Sequence, residues 1–113
     1  MNLKDVCTLI GCTVHWAPEG WESRNAGTVF AGDLMSDVLV NEGEATLLIT
    51  GLNSEQVIRT ADIVDACAVV LVSNKTPQKT LVSLAEETAI PLFSTPLSLY
   101  RCCAVLGNFE NGA

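Results

Sequence analysis

Two stretches of the chain are almost wholly apolar: residues 45–50 (ATLLIT) and residues 67–72 (CAVVLV). Runs of this length, bounded by turn residues, suit strands covered on both faces. Elsewhere the apolar positions recur at helical spacing. Leu3, Val6, Cys7 and Ile10 share one face of a helix that Asn2 can cap and Gly11 can end. Val57, Ile58, Ala61, Val64 and Asp65 continue a second helix, with Asn53 or Ser54 as its cap and Glu55 in the first turn. Leu81, Leu84, Ala85 and Thr88 mark another, with Pro77 in its first turn. Thr95 and Pro96 open a last helix that runs through Leu97, Tyr100, Arg101, Val105 and Leu106 and stops at Gly107. Residues 12–16 alternate as a half-buried strand does, and residues 90–94 read as a short strand with Pro91 at its start or on an edge. Pro18-Glu19-Gly20 is a turn, residues 21–25 form a polar loop, and residues 111–113 are expected to fray.

The stretch that organises the rest is residues 31–39, AGDLMSDVL. A small-residue strand, residues 26–31, ends there and a helix begins, with Leu34, Val38 and Leu39 at helical spacing. Gly32 permits a sharp turn and Asp33 is placed to cap the helix, where an anion also suits the positive end of the helix dipole. Strand-helix units joined by turns this short favour right-handed crossovers and a parallel sheet. The expected fold is a small, three-layer-like α/β domain: a mainly parallel sheet of four to five strands flanked by helices, with residues 1–113 as one domain.

Arg24, the small-residue strand, the AGDLMSDVL corner and the strand ending in Leu48-Ile49-Thr50-Gly51 together resemble the DRTGG domain, over nearly the whole chain. Where that family's signature often reads as an acid and Arg followed by glycines, this chain has Ser23-Arg24-Asn25-Ala26-Gly27. The resemblance implies a non-catalytic regulatory or protein-interaction module, homodimeric, like the domain that accompanies catalytic or sensory parts in phosphotransacetylases and CBS-domain pyrophosphatases. It also implies a partner in a hydrogenase or electron-transfer system, since stand-alone members are often encoded beside iron-only hydrogenase genes. DRTGG domains are similar to the N-terminal, non-catalytic domain of HPr kinase/phosphorylase. A serine-kinase label inherited from that similarity has no support in this chain, which lacks a GxxxxGK[ST] phosphate loop.

Composition narrows the classes further. The chain has 113 residues, 49% of them hydrophobic, enough for one core. A net charge of −7 argues against a phosphate-backbone partner, so nucleic acid is not expected. No stretch reads as a signal peptide or a membrane span, and a cytoplasmic location is expected. Five cysteines, Cys7, Cys12, Cys67, Cys102 and Cys103, are an odd count at irregular spacing and are expected as thiols. Their spacing matches no standard zinc site; a metal or iron–sulfur cluster shared across the fold or a dimer is a further alternative, and no metal or cofactor is assigned.

In an open parallel sheet, ligands collect beyond the carboxyl ends of the strands. The candidate binding residues there are Gly32, Asp33, Ser36 and Asp37 in the corner, Thr50, Gly51 and Asn53 after the first apolar run, Ser73, Asn74 and Lys75 after the second, and Ser94 and Thr95. Hydroxyls, amides, a close-approach glycine and one cation suit a phosphate or carboxylate, which makes a sensor of a nucleotide or other anionic metabolite the competing class. The same residue types also cap helices, which is the structural alternative. Asp33 and Asp37, four residues apart on one helix face, could together hold a hard cation such as magnesium. His15 is the only histidine, with no acid beside it in sequence, and reads as a core or edge residue rather than a general base. No catalytic residue is assigned.

Overall fold

The computed structural model describes residues 1–110; the fraying expected for residues 111–113 lies outside them. Five strands, β1 (Thr13–Trp16), β2 (Thr28–Ala31), β3 (Thr46–Thr50), β4 (Ala68–Leu71) and β5 (Leu92–Ser94), form one sheet in the order β1-β5-β4-β3-β2. β2 through β5 are parallel neighbours, and β1 joins β5 antiparallel. The α/β class and the mainly parallel sheet are as expected.

Helices α2 (Met35–Leu39), α3 (Glu55–Ile63) and α4 (Lys79–Thr88) connect the parallel strands, while α1 (Leu3–Ile10) and α5 (Leu99–Glu110) stand at the two ends of the chain. The strand alternation sorts them into layers. Leu48, Val69, Leu71 and Leu92 point into one core with Met35, Val38, Val57, Ile58, Leu81 and Leu84, whereas Leu47, Ile49, Val70 and Phe93 point into a second core with Leu3, Val6, Ile10, Cys102 and Leu106. The sheet is thus covered on both faces, which is why β3 and β4 read as continuous apolar runs. Trp21, in a short 3-10 turn (Trp21–Ser23) within the expected loop, lies against Phe93 with ring centroids 5.1 Å apart.

Local signals set several boundaries. Asn2 accepts the Asp5 N–H at 2.8 Å, and Gly11 ends α1 at φ 66°, the left-handed region in which glycine carries no Cβ penalty. Gly27 is fixed by proximity: a Cβ there would lie 2.5 Å from the Glu44 carbonyl oxygen. Three expectations change. α2 starts at Met35 and buries Met35 and Val38, leaving Leu34 and Leu39 outside. α5 starts at Leu99, with the Ser98 hydroxyl oxygen accepting the Arg101 N–H, and continues through Gly107, where an added Cβ would meet nothing within 4 Å. β1 does not alternate in burial; it is a short edge strand with a register shift between Val14 and Trp16.

Candidate functional site

Because β2, β3 and β4 run parallel and adjacent, their carboxyl ends place three loops side by side. Asp33 sits in the first. It does not cap α2, whose N-cap is Leu34 with no side-chain hydrogen bond. Its Oδ1 instead accepts the Gly51 N–H at 2.8 Å and the Thr50 hydroxyl at 2.9 Å, both across the strand boundary. The Gly51 N–H first, then the Thr50 hydroxyl and the nearby Lys75 ammonium, hold the Asp33 carboxyl below its usual range against a small desolvation penalty. The Thr50 hydroxyl oxygen in turn accepts the Leu52 N–H at 3.1 Å, which turns the chain out of β3.

The third loop comes to meet the second. Lys75 Nζ donates to the Gly51 carbonyl, and a Cβ on Gly51 would lie 3.2 Å from that Nζ and 3.6 Å from the Asp33 carboxylate oxygens. Gly51 is therefore approached on one side by a cation and an anion, which its lack of a side chain allows. Asn53 does not cap α3 either. Its amide donates to the Thr76 carbonyl at 2.8 Å and accepts the Gln78 N–H at 3.1 Å, binding the β3–α3 loop to the start of α4. Thr76 and Gln78 belong to this cluster and were not among the sequence candidates; only the adjacency of β3 and β4 reveals them.

The remaining candidates divide. Ser73 and Asn74 turn the chain with φ near 60° at both positions, and their N–H groups donate to the Leu97 and Thr95 carbonyls, so they fasten the β4–α4 loop to the β5–α5 loop. Thr95 is buried, donates its hydroxyl proton to the Ile10 carbonyl and accepts the Leu97 N–H at 3.2 Å. Ser94 is 8% exposed and bonded to His15 Nε2 at 2.7 Å, which holds β1 to β5. Burial lowers the His15 imidazole below its ordinary value, so the neutral ring is the favoured form. Ser94 and Thr95 thus have their hydroxyls engaged within the chain, and the Thr95 carbonyl meets the Lys75 loop through the Asn74 N–H at 2.9 Å. Gly32 continues the ladder, its N–H donating to the Ile49 carbonyl at 3.0 Å, and its φ is not left-handed. Ser36 and Asp37 are exposed on α2. Asp33 precedes that helix, so the shared helical face expected for Asp33 and Asp37 does not exist.

The segment behind the family resemblance also touches the opposite end of the sheet. The Arg24 carbonyl accepts the Leu3 N–H at 2.9 Å, the Gly27 N–H donates to the Ala45 carbonyl at 2.9 Å, and the Arg24 charge reaches Cys67, just before β4. Among the described residues, no three His, Cys, Asp or Glu side chains converge as a metal site, every buried side-chain polar atom has a partner, and no helix is long and apolar enough to cross a membrane.

No family model matches the sequence, and no curated protein matches it. Among solved structures the chain is similar to the CBS and DRTGG domains of the regulatory region of a Clostridium perfringens pyrophosphatase, in a crystal structure with its activator, diadenosine tetraphosphate. The TM-score is 0.74 at 13% sequence identity, over 93% of this chain and 45% of the other. This chain thus spans just under half the length of that one, and what they share is the fold.

Proposed function

We propose that this chain is a DRTGG-type regulatory module with no catalytic chemistry of its own, which pairs with a second copy of itself through the outer side of α2. The observation that carries this reading is the exposure of Leu34 (61%), Leu39 (49%) and Val40 (76%) around a five-residue helix, with Ile63 (73%) at the end of the neighbouring α3. α2 and α3 both run back along the sheet, so their ends at Val40 and Ile63 fall on the same side of the molecule. Such clustering of large exposed apolar groups marks interaction surfaces. At about 1 kcal/mol for each of four half-exposed to three-quarters-exposed side chains, burial contributes about 4 kcal/mol per protomer and about 8 kcal/mol per pair; association costs of at least about 4 kcal/mol leave a weak dimer in the millimolar range.

Sedimentation velocity across a concentration series tests it. A weak dimer that forms as concentration rises toward millimolar, and that Val40→Asp or Ile63→Asp converts to monomer, supports the reading. A monomer at all concentrations refutes it. A hydrogenase or electron-transfer protein as partner is the heteromeric form of the same reading, resting on the family resemblance.

A second reading has its own observation. Lys75 and Asp33 flank Gly51 in an accessible loop, and the similar pyrophosphatase region was crystallised with a dinucleotide. The strand-end loops then sense an anionic metabolite. Physical chemistry ranks this second: the side-chain functions of Asp33, Asn53 and Lys75 already bond to the chain itself, and Lys75 is the one cation of those loops in a chain of net charge −7. Thermal stabilisation by a nucleotide, abolished by Lys75→Ala, supports it; no shift across mono-, di- and dinucleotides up to millimolar concentration removes it.

A further inference from the structure

The turn that ends α1 brings two thiols together. Gly11, in the left-handed conformation, reverses the chain, and the Cys12 N–H donates to the Cys7 carbonyl at 3.0 Å. This is the six-to-one bond of a helix-terminating motif in which the first and last side chains normally make an apolar contact. Here both are cysteines, and each thiol shifts the ionisation of the other. One backbone hydrogen bond and fixed bond lengths leave at most about 7 Å between the two α-carbons, at the upper limit of the span a disulfide bridges. The pair is also reachable. Cys7 and Cys12 are half-buried and line an open depression of about 460 Å³ with Lys4, Val14 and Trp21.

We infer that Cys7 and Cys12 form a thiol–disulfide exchange site that takes low-molecular-weight disulfides as its substrate class and closes into an intramolecular disulfide across the end of α1. The Cys7 thiolate attacks one sulfur of the disulfide RSSR, forming a Cys7–SR mixed disulfide and releasing RS⁻. The Cys12 thiol gives its proton to that RS⁻ or to water, and its sulfur attacks Cys7 Sγ and expels the second RS⁻, which takes up a proton. Two protein thiols are oxidised to one disulfide while RSSR is reduced to two RSH. The electrostatics assign the order of attack: the interaction between the two thiols makes Cys7 ionise more readily than an ordinary thiol and Cys12 less readily. The other cysteines differ. Burial pushes Cys67 and Cys102 up to about 11, and Cys103 upward as well.

The test incubates the full chain with oxidised glutathione, quenches with acid at intervals, alkylates free thiols and maps the peptides by mass. The expected course is a transient glutathionyl group on Cys7, then a Cys7–Cys12 link with Cys67, Cys102 and Cys103 still alkylated. Cys12→Ser should trap the adduct on Cys7. First modification at another cysteine, or Cys7 and Cys12 both remaining free after equilibration in a buffer that oxidises an ordinary dithiol, overturns the assignment. The wild-type time course decides this even if the variant does not fold.

Discussion

Asp33→Ala separates a cross-strand tie from a helix cap. The substitution removes the acceptor of the Gly51 N–H at 2.8 Å and of the Thr50 hydroxyl at 2.9 Å. Thr50 is fully buried, so its hydroxyl proton loses its partner where water does not replace it, a loss of about 1–3 kcal/mol. The Gly51 N–H lies at the solvent edge and exchanges its partner for water at little cost. The carboxylate is mostly exposed, so its charge adds little beyond the two bonds. The sum is about 1–3 kcal/mol, which lowers the melting temperature of a chain this size by about 4–13 °C.

Thermal melts followed by circular dichroism check this at two levels. In a double-mutant cycle with Thr50→Val, the tie predicts a coupling of about 1 kcal/mol, whereas a capping role for Asp33 predicts additivity within about 0.3–0.5 kcal/mol. The pH dependence has a fixed sign. The folded carboxyl ionises below its ordinary value of 3.8, so the contribution is complete above that value and is lost as pH falls through the lowered folded value. The Asp33→Ala penalty should therefore shrink on acidification past pH 3.8, and Asp33→Asn, which keeps the acceptor oxygen, should be milder at neutral pH. Additive energies, or a penalty that stays constant into acid, would refute the reasoning.

Gly27→Ala should destabilise by about 1–3 kcal/mol in chemical denaturation, because its Cβ would meet the Glu44 backbone oxygen at 2.5 Å, whereas Gly107→Ala, with open space around it in α5, should stabilise by up to about 1 kcal/mol. Phe93→Ala empties the centre of the α1–α5 side of the sheet and should cost about 3–5 kcal/mol, with a red shift of Trp21 fluorescence as its stacking partner is lost. For His15 the folded imidazole is depressed, so the unfolded chain binds the proton more readily and stability falls as pH drops below the ordinary value of 6.5. Melting temperatures should decline over that window in the wild type and less in His15→Asn.

What the chain announces locally, the structure keeps. Asn2 and Gly11 bracket α1 because a cap and a left-handed stop act within a few residues, and residues 46–50 and 68–71 are buried strands because burial on both faces leaves its mark on every position. What fails is set by partners far along the chain. Asp33 has the composition of a cap, but its partners stand 17 and 18 residues away, and Asn53 reaches 23 and 25 residues to Thr76 and Gln78. Ser94 and Thr95, at a strand end, bond to His15 and Ile10, 79 and 85 residues away. The edge position of β1 was unreadable for the same reason, since its pairing with β5 joins opposite ends of the sequence.

The segment from Arg24 to Leu39 shows why a resemblance in sequence reports fold here before it reports activity. It runs the whole length of β2 and fastens the molecule at both ends of the sheet. At the start of the strand the Arg24 carbonyl and the Ala26 and Gly27 N–H groups bond to Leu3, Met1 and Ala45; at its end the Gly32 N–H and the Asp33 carboxylate bond to Ile49, Thr50 and Gly51. Those groups maintain β2 against β3 and the amino-terminal segment, a task that any protein with this topology must perform whatever its function. On the proposed dimer reading, recognition falls to what the same segment leaves outside: Leu34, Ser36, Asp37, Leu39 and the adjoining Val40. Three apolar groups beside a hydroxyl and a carboxylate have the make-up of an interface core with a polar rim. Changing those five positions should therefore alter association while leaving the fold intact, and changing Gly27 or Asp33 should do the reverse.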